Sequence, residues 1–214
     1  GPSLSKYLDR DFDDGHCIVV NSMVANTPML DRLKPFAICA CDPIFHAGCS
    51  RYAEEFRTAL VDAMQRHDCY LFVPTRDYVQ YDELLSGPLK EKIIPVPIVS
   101  DAPINIDLGD KLYFKSAENV LTLAVLPICS TIARTIGVVG CDGRPLFEDE
   151  YYWKHDRSVQ FNDMMENVKQ VHPSFFDLSY NDYYLEHCKA VESYVDVIEA
   201  AGRRVEVVSP SYIP

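Results

Sequence analysis

The run Ile136-Gly137-Val138-Val139-Gly140-Cys141-Asp142-Gly143-Arg144 passes without transition from an apolar strand to small and charged residues. A buried parallel strand that ends this way marks the edge at which an open α/β sheet holds its ligands. Downstream, Tyr151-Tyr152-Trp153-Lys154-His155 supplies an aromatic, basic loop beyond that edge.

Upstream, the same alternation repeats. Apolar Cys17–Val20 ends at Asn21, a helical stretch covers Thr27–Leu33, and apolar Phe36–Ala40 ends at Asp42-Pro43. Ser50 suits the N-cap of a helix whose Tyr52, Phe56, Leu60 and Met64 recur every four residues, and Cys69–Val73 reads as a strand stopped by Pro74. Asn119–Ile132 is apolar enough for a buried helix despite Pro127. Asp182–Ala201 is a long amphipathic helix stopped by Gly202, and Val205–Val208 is a closing strand. Strands alternating with helices predict one α/β domain over residues 1–214: a doubly wound, mostly parallel, Rossmann-like sheet with helices on both faces. Ser86–Lys115 lacks helical periodicity and carries Pro88, Pro95, Pro97 and Pro103, so it is expected to be a long excursion over the surface.

Composition narrows the function. Twenty Lys and Arg against 32 Asp and Glu leave a net charge of −12, which opposes general binding to nucleic acid or to anionic lipid. No apolar run reaches the roughly 20 residues of a membrane span, so the expected setting is the cytoplasm or the inner face of a membrane. Of the eight cysteines, Cys17, Cys39, Cys69 and Cys141 sit in apolar runs and read as reduced core thiols. Cys39-x-Cys41 with Cys49 beyond is a poor zinc spacing, and no histidine pair has metal-ligand spacing, so no metal and no resident cofactor is expected. Gly1-Pro2 reads equally as a protease-cleavage scar or as the tail of a Gly-rich phosphate loop after an earlier strand.

The residues suited to chemistry fall at strand ends and at one helix. Asn21, Asp42 and Gly140-Cys141-Asp142-Gly143 each follow a predicted strand, so the fold gathers them along one sheet edge. Each has an ordinary explanation as a turn former. Neither a dinucleotide fingerprint nor a P-loop is present. His187, near the start of the last long helix, is placed for a neutral imidazole to accept a proton. His46, in Asp42-Pro43-Ile44-Phe45-His46, is a second imidazole in a strand-end loop. Tyr151, Tyr152 and Lys154 offer phenol and ammonium donors to a phosphorylated ligand, or else pack as a capping loop.

At these residues the chain resembles the bacterial sialyltransferases of glycosyltransferase family 42 and the related superfamily of 6-hydroxymethylpterin pyrophosphokinase-like proteins. The likeness spans most of the chain at low identity. Gly1-Pro2-Ser3-Leu4 is similar to the end of the family's Gly-x-Gly-Pro-Ser-Leu loop, Asn21 to its asparagine after the next strand, and Asp42-Pro43 to its polar-Pro pair. Gly140-Cys141-Asp142 matches the Gly-x-Asp strand end, and Glu118-Asn119-Val120 the start of the preceding helix. Tyr184-Leu185-Glu186-His187 resembles the stretch that supplies the family's general base, and Ser209-Pro210-Ser211 its Pro-rich ending. Asp42 replaces the sialyltransferases' asparagine, and the first strand and first loop glycine are missing.

The resemblance implies a GT-A-like sialyltransferase variant: an inverting, metal-independent transferase that moves a CMP-activated acidic sugar to a glycan hydroxyl. It implies His187 as base, Tyr151 and Tyr152 as donors to the departing phosphate, and Ser3, Asn21, Asp42, His46, Asn119, Gly140, Asp142 and Lys154 around the substrate. A nucleotide-sugar donor and a glycan acceptor are the implied partners, with self-association left open. Two alternatives stand beside it. One is a pyrophosphokinase whose Asp42 and Asp142 hold Mg²⁺, and the other a non-catalytic nucleotide-binding module of a polysaccharide-synthesis protein.

Overall fold

The structure is a computed structural model that describes residues 2–7, 15–145, 160–177 and 179–213. In chain order its elements are β1 (Ile18–Val20), α1 (Thr27–Leu33), β2 (Ala37–Cys39), α2 (Arg51–Arg66), β3 (Tyr70–Pro74), α3 (Tyr78–Leu84), β4 (Ile93–Val96), β5 (Ile98–Val99), β6 (Phe114–Lys115), α4 (Leu126–Ile132), β7 (Thr135–Val138), α5 (Met165–Val171), α6 (Tyr180–Ala200) and β8 (Arg204–Val207). The fold is mixed α/β, and every strand pair among the described residues is parallel. The chain divides into two compact units, both discontinuous in sequence. One comprises Phe12–Pro97 and Asp156–Asp177, the other Gly1–Asp11, Ile98–His155 and Leu178–Pro214.

The first unit is built on a four-stranded sheet in the order β1-β2-β3-β4. Because spatial order follows chain order, these four strands contain no reversal, so the crevice that a reversal opens does not arise among them. Ile38, Leu71, Val73 and Val96 are wholly buried in the sheet, as strands covered on both faces require. Asn26 caps α1 by accepting from the Met29 N–H at 3.2 Å, and α1 ends at Lys34 in the left-handed region, φ 45°. Ser50 caps α2 through the Ala53 N–H at 3.2 Å. The four-residue spacing read from the sequence becomes the buried face of α2: Tyr52, Phe56, Leu60 and Met64. Ser50→Ala is expected to cost about 1 kcal/mol, seen as a lower urea midpoint with an unchanged slope.

The interval 86–115 differs from the expected excursion. It contains β4, whose Ile93 and Val96 are buried, and the short parallel pair β5–β6. Pro95 conceals β4 in the sequence, yet β4 is an edge strand, where a missing N–H is tolerated. The remaining irregular stretch is stitched from within: Asn105 Nδ2 donates to the Lys111 and Tyr113 carbonyls at 2.7 and 2.9 Å. Lys115 Nζ donates to the Ala102 carbonyl at 2.8 Å.

The second unit centres on the parallel pair β7–β8 and on α6. Its core joins Leu121, Leu126, Ile136, Val191, Tyr194 and Ile198. Tyr184, His187, Val191, Tyr194 and Ile198 form the buried stripe of α6, at the three- and four-residue spacing of one helix face. Before α4, Leu121–Val125 forms a π-helical turn, and the Leu126 N–H reaches the Leu121 carbonyl. Pro127 then enters the first turn of α4, where its missing N–H disrupts least. No helix among the described residues is long and apolar enough to cross a membrane. None of the eight cysteines forms a disulfide, with Cys39, Cys41 and Cys69 buried and Cys49 exposed.

Candidate functional site

In the second unit, the residues after β7 are held by the segment after β8. The Gly140 N–H donates to Ser209 Oγ at 2.8 Å, Ser211 Oγ donates to the Cys141 carbonyl at 2.7 Å, and the Tyr212 N–H donates to the Asp142 carbonyl at 2.7 Å. Ser3 meets the same turn. Its N–H donates to Asp142 Oδ2 at 2.8 Å and its hydroxyl donates to Asp142 Oδ1. Ser3 and Asp142 are thus brought together, and each carboxylate oxygen of Asp142 already accepts a hydrogen bond from Ser3.

Gly143 is the tightest point. It has φ 65°, and a Cβ there would lie 2.5 Å from Tyr184 Oη, 2.8 Å from Ile213 Cγ1 and 3.1 Å from the Ile213 nitrogen. This close approach lets the Arg144 N–H donate to Tyr184 Oη at 3.1 Å. The Arg144 side chain turns inward, 4% exposed. Its Nη2 donates to Asn181 Oδ1 at 2.6 Å, its guanidinium carbon sits 5.3 Å from the centre of the Tyr184 ring, and its Nη1 has no hydrogen-bond partner. In the sequence Arg144 carries no assigned role, and its one signal is an arginine placed directly after a glycine at an apolar strand's end.

His187 lies on the same face of α6, one turn beyond Tyr184, and is 7% exposed. Its Nδ1 is buried and has no hydrogen-bond partner. Burial drives its pKa down to about 4, so the ring is neutral at pH 7. Asn119 is occupied differently: its Oδ1 accepts from the Leu121 N–H at 2.9 Å, which opens the π turn as a cap. Tyr183 Oη donates to the adjacent Glu118 carbonyl at 2.5 Å, joining this turn to the start of α6.

The first unit carries the other strand-end residues. Asn21 follows β1, is exposed and holds φ 55°, a left-handed conformation that asparagine tolerates better than most residues. Asp42 follows β2 and closes an Asx turn, with Oδ1 accepting from the Ile44 and Phe45 N–H groups, both at 2.8 Å. Asp42 and His46 are brought together. The Asp42 N–H donates to His46 Nδ1 at 3.1 Å and the His46 N–H donates to the Asp42 carbonyl at 3.0 Å. His46 is 1% exposed and stacks on Phe56 at 4.1 Å, and burial lowers its pKa to about 4 although Asp42 opposes the shift. These contacts lock a loop, so Asp42 and His46 have the geometry of turn residues. After β3 come Arg76 and Asp77, which Pro74 hides in the sequence by closing the strand before them. Burial raises the Asp77 carboxyl above its ordinary value, while Arg76 at 3.4 Å pulls it back.

Tyr151, Tyr152 and Lys154 lie outside the described residues. Among the described residues no three His, Cys, Asp or Glu side chains gather as a metal site. Comparison with family models, with curated proteins and with solved structures finds no match.

Proposed function

We propose that the chain is an inverting, metal-independent glycosyltransferase on a doubly wound, Rossmann-like fold, moving a CMP-activated acidic sugar, sialic or a related ulosonic acid, to a glycan hydroxyl. The observation that carries this reading is His187: a buried, neutral imidazole with an unpartnered ring nitrogen, one helical turn from Tyr184, whose hydroxyl meets Gly143 after β7. In the proposed reaction an imidazole nitrogen of His187 accepts the acceptor's hydroxyl proton as that oxygen bonds to the sugar's anomeric carbon. The bond from that carbon to the phosphate oxygen breaks, and CMP leaves with the electron pair. Tyr151 and Tyr152 are proposed to donate hydrogen bonds to the departing phosphate. Within the unit that holds His187, Ser3, Asn119, Gly140, Asp142 and Lys154 are the remaining proposed substrate-binding residues. The proposed setting is polysaccharide biosynthesis, in the cytoplasm or at the inner face of a membrane.

Turnover of a CMP-activated sialic acid tests the reading. His187→Ala is expected to lower kcat at least roughly 100-fold while leaving the far-UV circular dichroism unchanged. Because His187 stays neutral down to about 4, the acid limb of kcat/KM is expected near pH 4, well below the ordinary imidazole range. CMP at a hundred times its dissociation constant is expected to add about 2.7 kcal/mol of stability without metal. Stabilisation by ATP and Mg²⁺ but not by CMP would replace this reading with the pyrophosphokinase, and CMP binding without turnover would replace it with the binding module.

A further inference from the structure

Arg144 presents an electrostatic problem that the described residues leave unsolved. The residue is 4% exposed, and among the described residues no carboxylate pairs with its guanidinium. Its contacts are a neutral amide oxygen on Asn181 and the face of Tyr184. A buried, unpaired charge is costly, and a guanidinium is always protonated, so it cannot escape by losing its proton. Its position adds to the cost. Asn181 lies in the first turn of α6, a helix of 21 residues, so the Nη2 contact holds the cation beside the positive end of the helix dipole. Nη1 of the same guanidinium has no partner.

We infer that Arg144 Nη1, Asn181 and the first turn of α6 form a recognition site for an oxyanion, a carboxylate or a phosphate carried by the substrate. An anion here gains a charge-assisted hydrogen bond from Nη1 and opposes both the guanidinium charge and the helix dipole. In a site screened from water these interactions are stronger than at the surface. The inference deepens the transferase reading, because the proposed donor carries both a carboxylate and a phosphate, and it rests on that reading for the choice of probes.

The test measures the melting temperature and dissociation constant of the whole chain with inorganic phosphate, CMP and N-acetylneuraminate. Wild type is expected to be stabilised in a saturable, salt-sensitive way. Action by phosphate and CMP identifies the phosphate as the bound group, and action by N-acetylneuraminate alone identifies the carboxylate. Arg144→Lys keeps the charge but loses the planar fork, and is expected to weaken the active probe at least tenfold. Arg144→Met removes a charge without a counter-charge, and is expected to melt at or above the wild-type temperature without ligand while losing the response. Absence of any probe response in wild type, or an unchanged dissociation constant in Arg144→Lys, overturns the inference. Failure of the transferase reading is separable: it appears as anion binding through Arg144 with no sugar transfer, whereas sugar transfer at the wild-type rate and KM in Arg144→Lys removes the anion site alone.

Discussion

Gly143→Ala is expected to destabilise the protein by roughly 2–4 kcal/mol, combining the penalty for a side chain in the left-handed region with that of forced overpacking. The new methyl would lie 2.5 Å from Tyr184 Oη and 2.8 Å from Ile213 Cγ1, and the backbone nitrogen of Ile213 at 3.1 Å limits retreat. Relief requires Tyr184 to move, and Tyr184 Oη accepts the Arg144 N–H. The substitution therefore strains the turn after β7 and the start of α6 together. Gly15→Ala is the control, since a Cβ there has nothing within 4 Å, and it is expected to change stability by less than about 0.5 kcal/mol. Urea unfolding of both variants checks the pair. Equal midpoints for Gly143→Ala and wild type would remove the close approach from the account of the site.

Acidification is expected to produce the second large effect, through His46 and His187. Both imidazoles are buried, and in the folded protein both hold values near 4, below the ordinary 6.5. The unfolded chain therefore binds two protons that the folded chain refuses. Their contribution is complete above about pH 6.5 and is lost as pH falls towards 4, at roughly 3 kcal/mol for each ring if the whole interval is crossed. Denaturant midpoints are expected to fall steadily from pH 6.5 to 4.5, and His187→Gln is expected to flatten that slope by about half. A wild-type profile that stays level over this interval would show that the rings are not held neutral.

Much of the architecture was legible because the cues were local. The Ser50 cap and the four-residue recurrence of Tyr52, Phe56, Leu60 and Met64 locate α2 directly, and Gly202 lies just past the end of α6. The strands around residues 18, 38, 71 and 136 were found within a residue or so at their ends, because apolar runs bounded by turn residues report burial well. β4 escaped because Pro95 argues against a strand, an argument that fails at a sheet edge. The π turn was beyond sequence patterning, although Pro127 marks the place where the helix changes its bonding.

The site was only half legible. His187 stood out as an imidazole on an amphipathic helix, but its unpartnered nitrogen depends on every neighbouring side chain. Asn119 and Asp42 look alike as ligands and as caps, and only the geometry shows their oxygens accepting backbone N–H groups. Arg144 is the reverse case. An arginine near a turn reads as solvated surface, and its burial follows from the Gly143 backbone, which brings Arg144 against Tyr184.

The interleaving of the two units imposes an order of events at the ribosome. The amino end of α2 is completed by a segment synthesised much later: the Arg51 N–H donates to Asn167 Oδ1 at 2.8 Å, and the Tyr52 ring meets Phe161 edge-on at 5.2 Å. While residues 98–155 are being made, all four strands of the first sheet have been synthesised but the partner for this aromatic surface has not. Such sequence-distant closure slows folding and lengthens the time for which sticky surface is open to aggregation or to a chaperone.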